Sequence, residues 1–167
     1  VVEVIEACRA EVGASFPIIM RWSQWKQQDY TAKLASTPAE LEVFLAPFVD
    51  AGVDIFHCST RRFWEPEFEG SDFNLAGWTK KITGKPTITV GSVGLNADFL
   101  PQPGESAFRS AEPASLDELM RRMNQSEFDL VAVGRALIAN PDWPALVRAG
   151  HIESIESYSS EMLNTLR

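Results

Sequence analysis

Cysteine is scarce in this 167-residue chain: Cys8 and Cys58 are the only two. A fold stapled by disulfides needs more than the single bridge they could make. Both lie in apolar patterns and read as buried free thiols, so a reducing, cytoplasmic setting is the expectation. Histidine and tyrosine are equally rare, two of each. There is no C-x-x-C pair, and the neighbours His57 and Cys58 point to opposite faces of a strand, so no metal site is expected. Positive charge is outnumbered, with 15 Lys+Arg against 23 Asp+Glu and a formal net charge of −8. A globally basic nucleic-acid footprint is thereby excluded. No apolar run nears the roughly 20 residues of a membrane span. No secretory signal pattern is visible, and because the chain opens on Val1 an upstream start is expected.

Several motifs are missing as well. Gly91-Ser92-Val93-Gly94 has the wrong spacing for G-x-G-x-x-G, so a dinucleotide fingerprint is unsupported. Neither a G-x-x-x-x-G-K-[ST] loop nor a G-x-S-x-G elbow occurs, which argues against a P-loop nucleotidase and a serine hydrolase.

What is present is an alternation of helical and strand patterns in a chain that is 45% hydrophobic and 23% charged. Val1, Val4, Ile5 and Cys8 repeat as one helix face, closed by Gly13 in a left-handed cap. Residues 16–20 then read as a buried strand. Thr37-Pro38-Ala39-Glu40 is a capping box with proline at the first helical position. Leu41, Phe44, Leu45 and Phe48 form the apolar face behind it, with a kink or early end expected at Pro47. Gly52 stops that helix before a strand at 53–58. A third helix over 75–82, ended by Gly84, leads to a strand at 87–90. A second capping box over 115–118 opens a helix with the face Leu116, Leu119, Met120 and Met123, followed by a strand at 130–133. Helical patterns at 144–148 and 154–166 finish the chain.

Strands separated by helices imply an α/β protein with a parallel sheet, residues 1–167 forming one domain. The strands are nearly continuous apolar runs, so both faces are expected to be covered. Residues 95–114 are long, polar and rich in Pro and Gly, and read as a mobile insertion. Length favours a doubly wound sheet. A (β/α)8 TIM barrel needs roughly 250 residues, so this chain would supply about four βα units.

Candidate chemistry collects at strand ends. One strand runs into Gly91, Ser92 and Gly94, and the next into Gly134 and Arg135. Either glycines there let backbone N–H groups approach an anion, while a guanidinium and a helix start stabilise a phosphate, or Gly91 and Gly94 merely turn the chain and Arg135 pairs with a surface carboxylate. Barrels of this class place a phosphate site after strands seven and eight, which would make these strands 5–8. Arg21 ends the first strand, where a cation could neutralise charge on a bound ring system or pair with an acid such as Asp29. The aromatic loops 22–30 and 61–69, including Phe63 and Trp64, either line a planar-ligand pocket or cap the core. A sugar-phosphate aldolase or isomerase, or a non-catalytic ligand-binding half-barrel, stays open as an alternative. A lysine at a strand end would favour the first, but Lys26 and Lys85 lie elsewhere.

Four segments in order, PIIMRWS (17–23), AGVDIFHCS (51–59), KPTITVGS (85–92) and FDLVAVGRALIANPDW (128–143), resemble the carboxyl half of the Old Yellow Enzyme family of NADH:flavin oxidoreductases. The resemblance implies a TIM barrel holding FMN, with Gly91, Ser92, Gly134 and Arg135 around its phosphate and Arg21 beside the ring. It implies transfer of hydride from NAD(P)H through the flavin to the activated C=C of an α,β-unsaturated carbonyl, that is, ene-reductase activity. The family's carbonyl-holding pair and proton-donating tyrosine come from the amino half. No catalytic residue is therefore assigned here, and Phe63 and Trp64 are left as substrate-pocket candidates. Residues 152–160 carry none of the cysteines that bind iron–sulfur in larger relatives, so the single-domain type is expected. Four βα units leave open edges and a bare interior, so a missing barrel half or a homo-oligomer is the expected partner.

Overall fold

Parallel strands need crossover connections, and here each crossover is a helix. The computed structural model describes residues 1–26, 28–98 and 110–164. Its elements run α1 (Val2–Val12), β1 (Ile19–Trp22), α2 (Pro38–Asp50), β2 (Ile55–Ser59), α3 (Leu75–Thr83), β3 (Thr87–Val90), α4 (Asp117–Asn124), β4 (Leu130–Val131), α5 (Arg135–Ala139) and α6 (Trp143–Ala149). The strands are all parallel and lie in the order β1-β2-β3-β4. A doubly wound sheet reverses its strand order at a switch point. An unbroken sequential order is the arc of a barrel, and it decides between the two architectures that length left open.

Local chemistry explains the best-placed elements. The Thr37 hydroxyl accepts from the Glu40 amide at 3.2 Å, and the Glu40 carboxylate accepts from the Ser36 amide at 2.7 Å. A cap of this kind is worth about 1 kcal/mol. In α3 the Asn74 side chain caps the start and Gly84 ends it in the left-handed conformation. Pro47 does not end α2, which continues to Asp50. Its ring lies on the exposed side, and so does Val43, whose carbonyl loses the intrahelical donor.

One side of the sheet is sealed. Trp22 is buried against Phe44 of α2, and Phe56, Cys58, Thr87 and Thr89 are buried on the side that α3 covers. The opposite side is bare: in register across it stand Arg21, His57, Ile88 and Leu130, with Ile19 beside Ile55. Ile19 and Leu130 are 52% and 51% exposed. Within these four strands only one face is covered, and the other is the bare interior expected of four βα units. The apolar runs face a barrel interior that these four strands cannot close alone.

The structure moves other boundaries. The first strand lies at Ile19–Trp22, with Phe16 exposed, so Arg21 is inside the strand and not after it. Gly13 has positive φ but an extended ψ. Cys8 is exposed and Cys58 buried, both free. Ser115 bonds Asp117 and Glu118 turns to arginines, so the second capping box does not form. Met120 is exposed and Arg122 is buried on Glu127. The helix expected over 154–166 does not form among its described residues, 154–164; there are instead two short 3-10 turns, Ile152–Ser154 and Ser160–Asn164. Between them Tyr158 bridges Ala111 through paired backbone bonds. Most of the 95–114 insertion, residues 99–109, lies outside the described residues.

Two aspartates tie the amino end of the sheet. Asp54, just before β2, accepts from the Ile18 amide at 2.8 Å and pairs with Arg9 of α1. Asp129, just before β4, accepts from the Thr87 amide at 2.9 Å and pairs with Lys80 of α3 at 2.8 Å. Each carboxylate thus joins the start of the preceding strand to the helix that leads into that strand.

Candidate functional site

The other end of the sheet carries the cavity. Arg21, Gly91, Ser92, Gly134 and Arg135, drawn from three strand ends, all line one opening of about 250 Å³. The loop after β3 is held by Ser92, whose Oγ donates toward the carbonyls of Arg61 (2.9 Å) and Ala97 (3.1 Å). These bonds hold Ser92 at φ 50, an unusual conformation for a residue with a side chain.

Arg135 reaches that loop from the start of α5. Its Nη2 donates to Ser92 Oγ at 3.1 Å and to the Ala97 carbonyl at 2.7 Å. Its Nη1 is buried with no hydrogen-bond partner. Burial pulls the guanidinium pKa down, against the acidic influence of Tyr158 and Asp98. A buried cationic donor left unpaired costs about 1–3 kcal/mol, more than a neutral one. An anion in the cavity would repay that cost. Because α5 has only five residues, the guanidinium and not a helix dipole carries most of the charge.

The glycines have different reasons for being glycine. A Cβ on Gly91, at φ +145, would lie 2.7 Å from the Thr60 carbonyl oxygen, so its bareness serves the loop after β2. A Cβ on Gly94 would press on the Trp143 ring at 3.0 Å. Gly134 differs, for nothing lies within 4 Å of its Cβ position. Of the three, it alone keeps space open for a ligand.

At the far side, Arg21 Nη2 donates to Ser59 Oγ at 3.1 Å, and Nη1 lies 3.4 Å from His57 Nε2. Burial lowers the His57 pKa, and the adjacent Arg21 charge lowers it further. A neutral imidazole beside a charged guanidinium follows. Asp29 does not pair with Arg21; it bonds Thr31 instead. No lysine lines the cavity among the described residues, which removes the feature an aldolase reading needs.

Phe63 and Trp64 do not line this cavity. They pack edge to face at 5.3 Å, with Phe63 buried, and line a neighbouring opening of about 500 Å³. The two openings share Ser92 and Leu95. Trp25, Ser59, Thr60 and Arg61 do line the first cavity. Trp25 and Arg61 belong to the aromatic loops that the sequence flags, whereas nothing in a sequence marks Ser59 and Thr60 except their place at a strand tip.

The NADH oxidase of Thermoanaerobacter brockii is 29% identical over 161 residues, covering 92% of this chain and 21% of its own length. The structure of morphinone reductase in complex with tetrahydroNAD superposes with a TM-score of 0.61 at 17% identity, covering 96% of this chain and 35% of that one. The old yellow enzyme from Trypanosoma cruzi gives 0.61 at 15%, covering 99% and 36%. The chain has the fold of the carboxyl half of an Old Yellow Enzyme barrel. No family model matches the sequence. The chain spans about a fifth of the curated relative and about a third of those two structures. A match to so long a relative lends nothing to the single-domain expectation. No described helix is long and apolar enough to cross a membrane, and no described cluster of His, Cys, Asp and Glu could hold a metal.

Proposed function

We propose that this chain is the FMN-holding half of an NAD(P)H-dependent oxidoreductase barrel whose acceptor is the activated C=C of an α,β-unsaturated carbonyl. The buried, unpartnered Nη1 of Arg135, in one cavity with Gly134, Ser92 and Arg21, carries the reading. Relatives that are NADH- and flavin-linked oxidoreductases support it. FMN, when bound, supplies a ring that accepts and passes on hydride. Arg135 and Ser92 would hold its phosphate, with the Gly91 and Gly134 backbones alongside. Arg21, kept in place by Ser59 and facing a neutral His57, would set a fixed positive charge beside the ring and favour its electron-rich state. Phe63 and Trp64 would border the substrate's approach from the adjoining opening. The proton donor belongs to the other half of the barrel. That half, or a second copy, would cover Ile19, Ile55, Ile88 and Leu130, so residues 1–167 act as one incomplete domain. A cytoplasmic location goes with this reading.

The test is flavin retention. Purified whole protein mixed with FMN and passed through gel filtration should keep close to one flavin per chain. Arg135→Met should weaken that affinity by about ten- to a hundredfold, the range for a lost charge-assisted hydrogen bond. A well-folded whole protein that keeps no flavin sinks the proposal.

A further inference from the structure

Among the described residues, three guanidinium groups line the cavity and no Asp or Glu does. Arg135 and Arg21 are assigned to the phosphate and the ring. Arg61 is left over. We propose that Arg61 forms an anion subsite for a carboxylate or phosphate carried by the molecule that reacts beside the cofactor, which makes that molecule acidic. The inference rests on the flavin reading, since it is the flavin that leaves Arg61 unassigned.

Arg61 follows β2 at its carboxyl tip, and its backbone is fixed. Its carbonyl accepts from Ser92 Oγ, and the preceding Thr60 bonds the Val90 carbonyl through both its amide (3.2 Å) and its hydroxyl (2.7 Å). The side chain lines the first cavity and also a second of about 200 Å³, which share Trp25 and Thr60. Its guanidinium lies 5.7 Å from the centre of the Tyr30 ring, and that ring lies 5.1 Å from Trp25. Stacking on an aromatic face orients a guanidinium while leaving its in-plane N–H donors available.

The nearby carboxylates are already engaged. Glu65 pairs with Arg62 at 2.5 Å and Glu67 with Lys33 at 3.1 Å, while Arg62 also binds Asp98 at 2.8 Å. Among the described residues Arg61 has no ion pair and no side-chain hydrogen bond. An oriented, half-buried cation at the junction of two openings selects for an anion and against a neutral isostere, because only the anion repays its desolvation.

Calorimetric binding to the flavin-loaded whole protein separates the two possible sources of the anion. One arm compares a cyclohexenone bearing a propionate arm with its methyl ester. The other compares NADPH with NADH. The acid of one pair should bind about tenfold tighter than its partner, Arg61→Gln should erase that ratio, and Arg61→Lys should keep part of it. Lys81→Gln, on the outer surface beside Phe73 and Trp78, should change neither ratio. Loss confined to the enone pair assigns the anion to the substrate, and loss confined to the dinucleotide pair assigns it to NADPH. Arg61→Gln protein with normal flavin content and both ratios intact overturns the subsite. Flavin content measured on the same samples reads the functional proposal independently.

Discussion

The two ends of this sheet treat charge in opposite ways. At the amino end, Asp54 and Asp129 each meet a cation and a backbone amide, so both carboxylates are compensated. At the carboxyl end, Arg21, Arg61 and Arg135 face a common space that no carboxylate lines among the described residues. One end keeps the strands in register. The other holds electrostatic free energy that only a ligand can recover, the division expected between the bottom and top of a barrel.

The largest expected effect breaks the top by distorting its frame. Gly91→Ala forces a Cβ onto the Thr60 carbonyl at a φ that only glycine tolerates, and should cost about 2 kcal/mol or more. Urea unfolding should show a lower midpoint, and flavin retention should fail with it. Next come the clamps. Asp54→Ala and Asp129→Ala should each cost about 1 kcal/mol, since the pairs are partly exposed, by leaving an amide and a cation without their acceptor. Flavin bound per folded chain should not change. If it fell, the two ends would not be independent.

The same clamps have a pH signature. The Ile18 amide, then Arg9, lowers the Asp54 pKa below 3.8, and the Lys80 and Thr87 bonds lower that of Asp129 against the burial that raises it. Their stabilisation is present above 3.8 and is lost as pH falls through the depressed native values. His57 acts higher on the scale. Its lowered native pKa means stability is present above 6.5 and falls as acid protonates it below that. His57→Gln should flatten the stability curve just below pH 6.5 and leave the acid limb, read by thermal melts across pH.

Arg135→Met should have the opposite sign to the clamp variants. Removing its buried, unpartnered Nη1 should offset the loss of the Nη2 bonds to Ser92 and Ala97 and leave the ligand-free protein as stable or up to about 1 kcal/mol more stable, even as flavin binding drops. The smallest change is on the bare sheet face: Ile19→Ser and Leu130→Ser should each shift stability by less than about 0.5 kcal/mol. They should also reduce self-association in light scattering.

Much of this layout can be read from residue order. Thr37-Pro38 with Glu40, Asn74, Gly52 and Gly84 act over a few residues, so the helices α2 and α3 and the strand β3 lie where their local signals put them. The co-location of Arg21, Gly91, Ser92, Gly134 and Arg135 follows from parallel strands alone, because strand tips in one direction meet at one end. Other features have no local cause. Residues 16–20 carry an apolar run that looks like a strand wherever it pairs, but Ile18 is held outside β1 by Asp54, 36 residues away. The would-be capping box at Ser115 loses Glu118 to Arg121 and Arg122. The Ser154–Leu166 pattern yields to the pairing of Tyr158 with Ala111.

Sequence by itself determined the alternation of helix and strand, the parallel sheet and the clustering of cations at one end, because each follows from short-range patterns repeated along the chain. Tertiary structure alone decided that the strands run in unbroken order as a barrel arc. It also decided that Gly91 makes room for backbone whereas Gly134 leaves space, and that Arg135 holds a buried donor unpaired while the charges of Arg9 and Lys80 are matched. Those outcomes depend on atoms brought together from distant positions, and no local pattern encodes which neighbour a residue will meet.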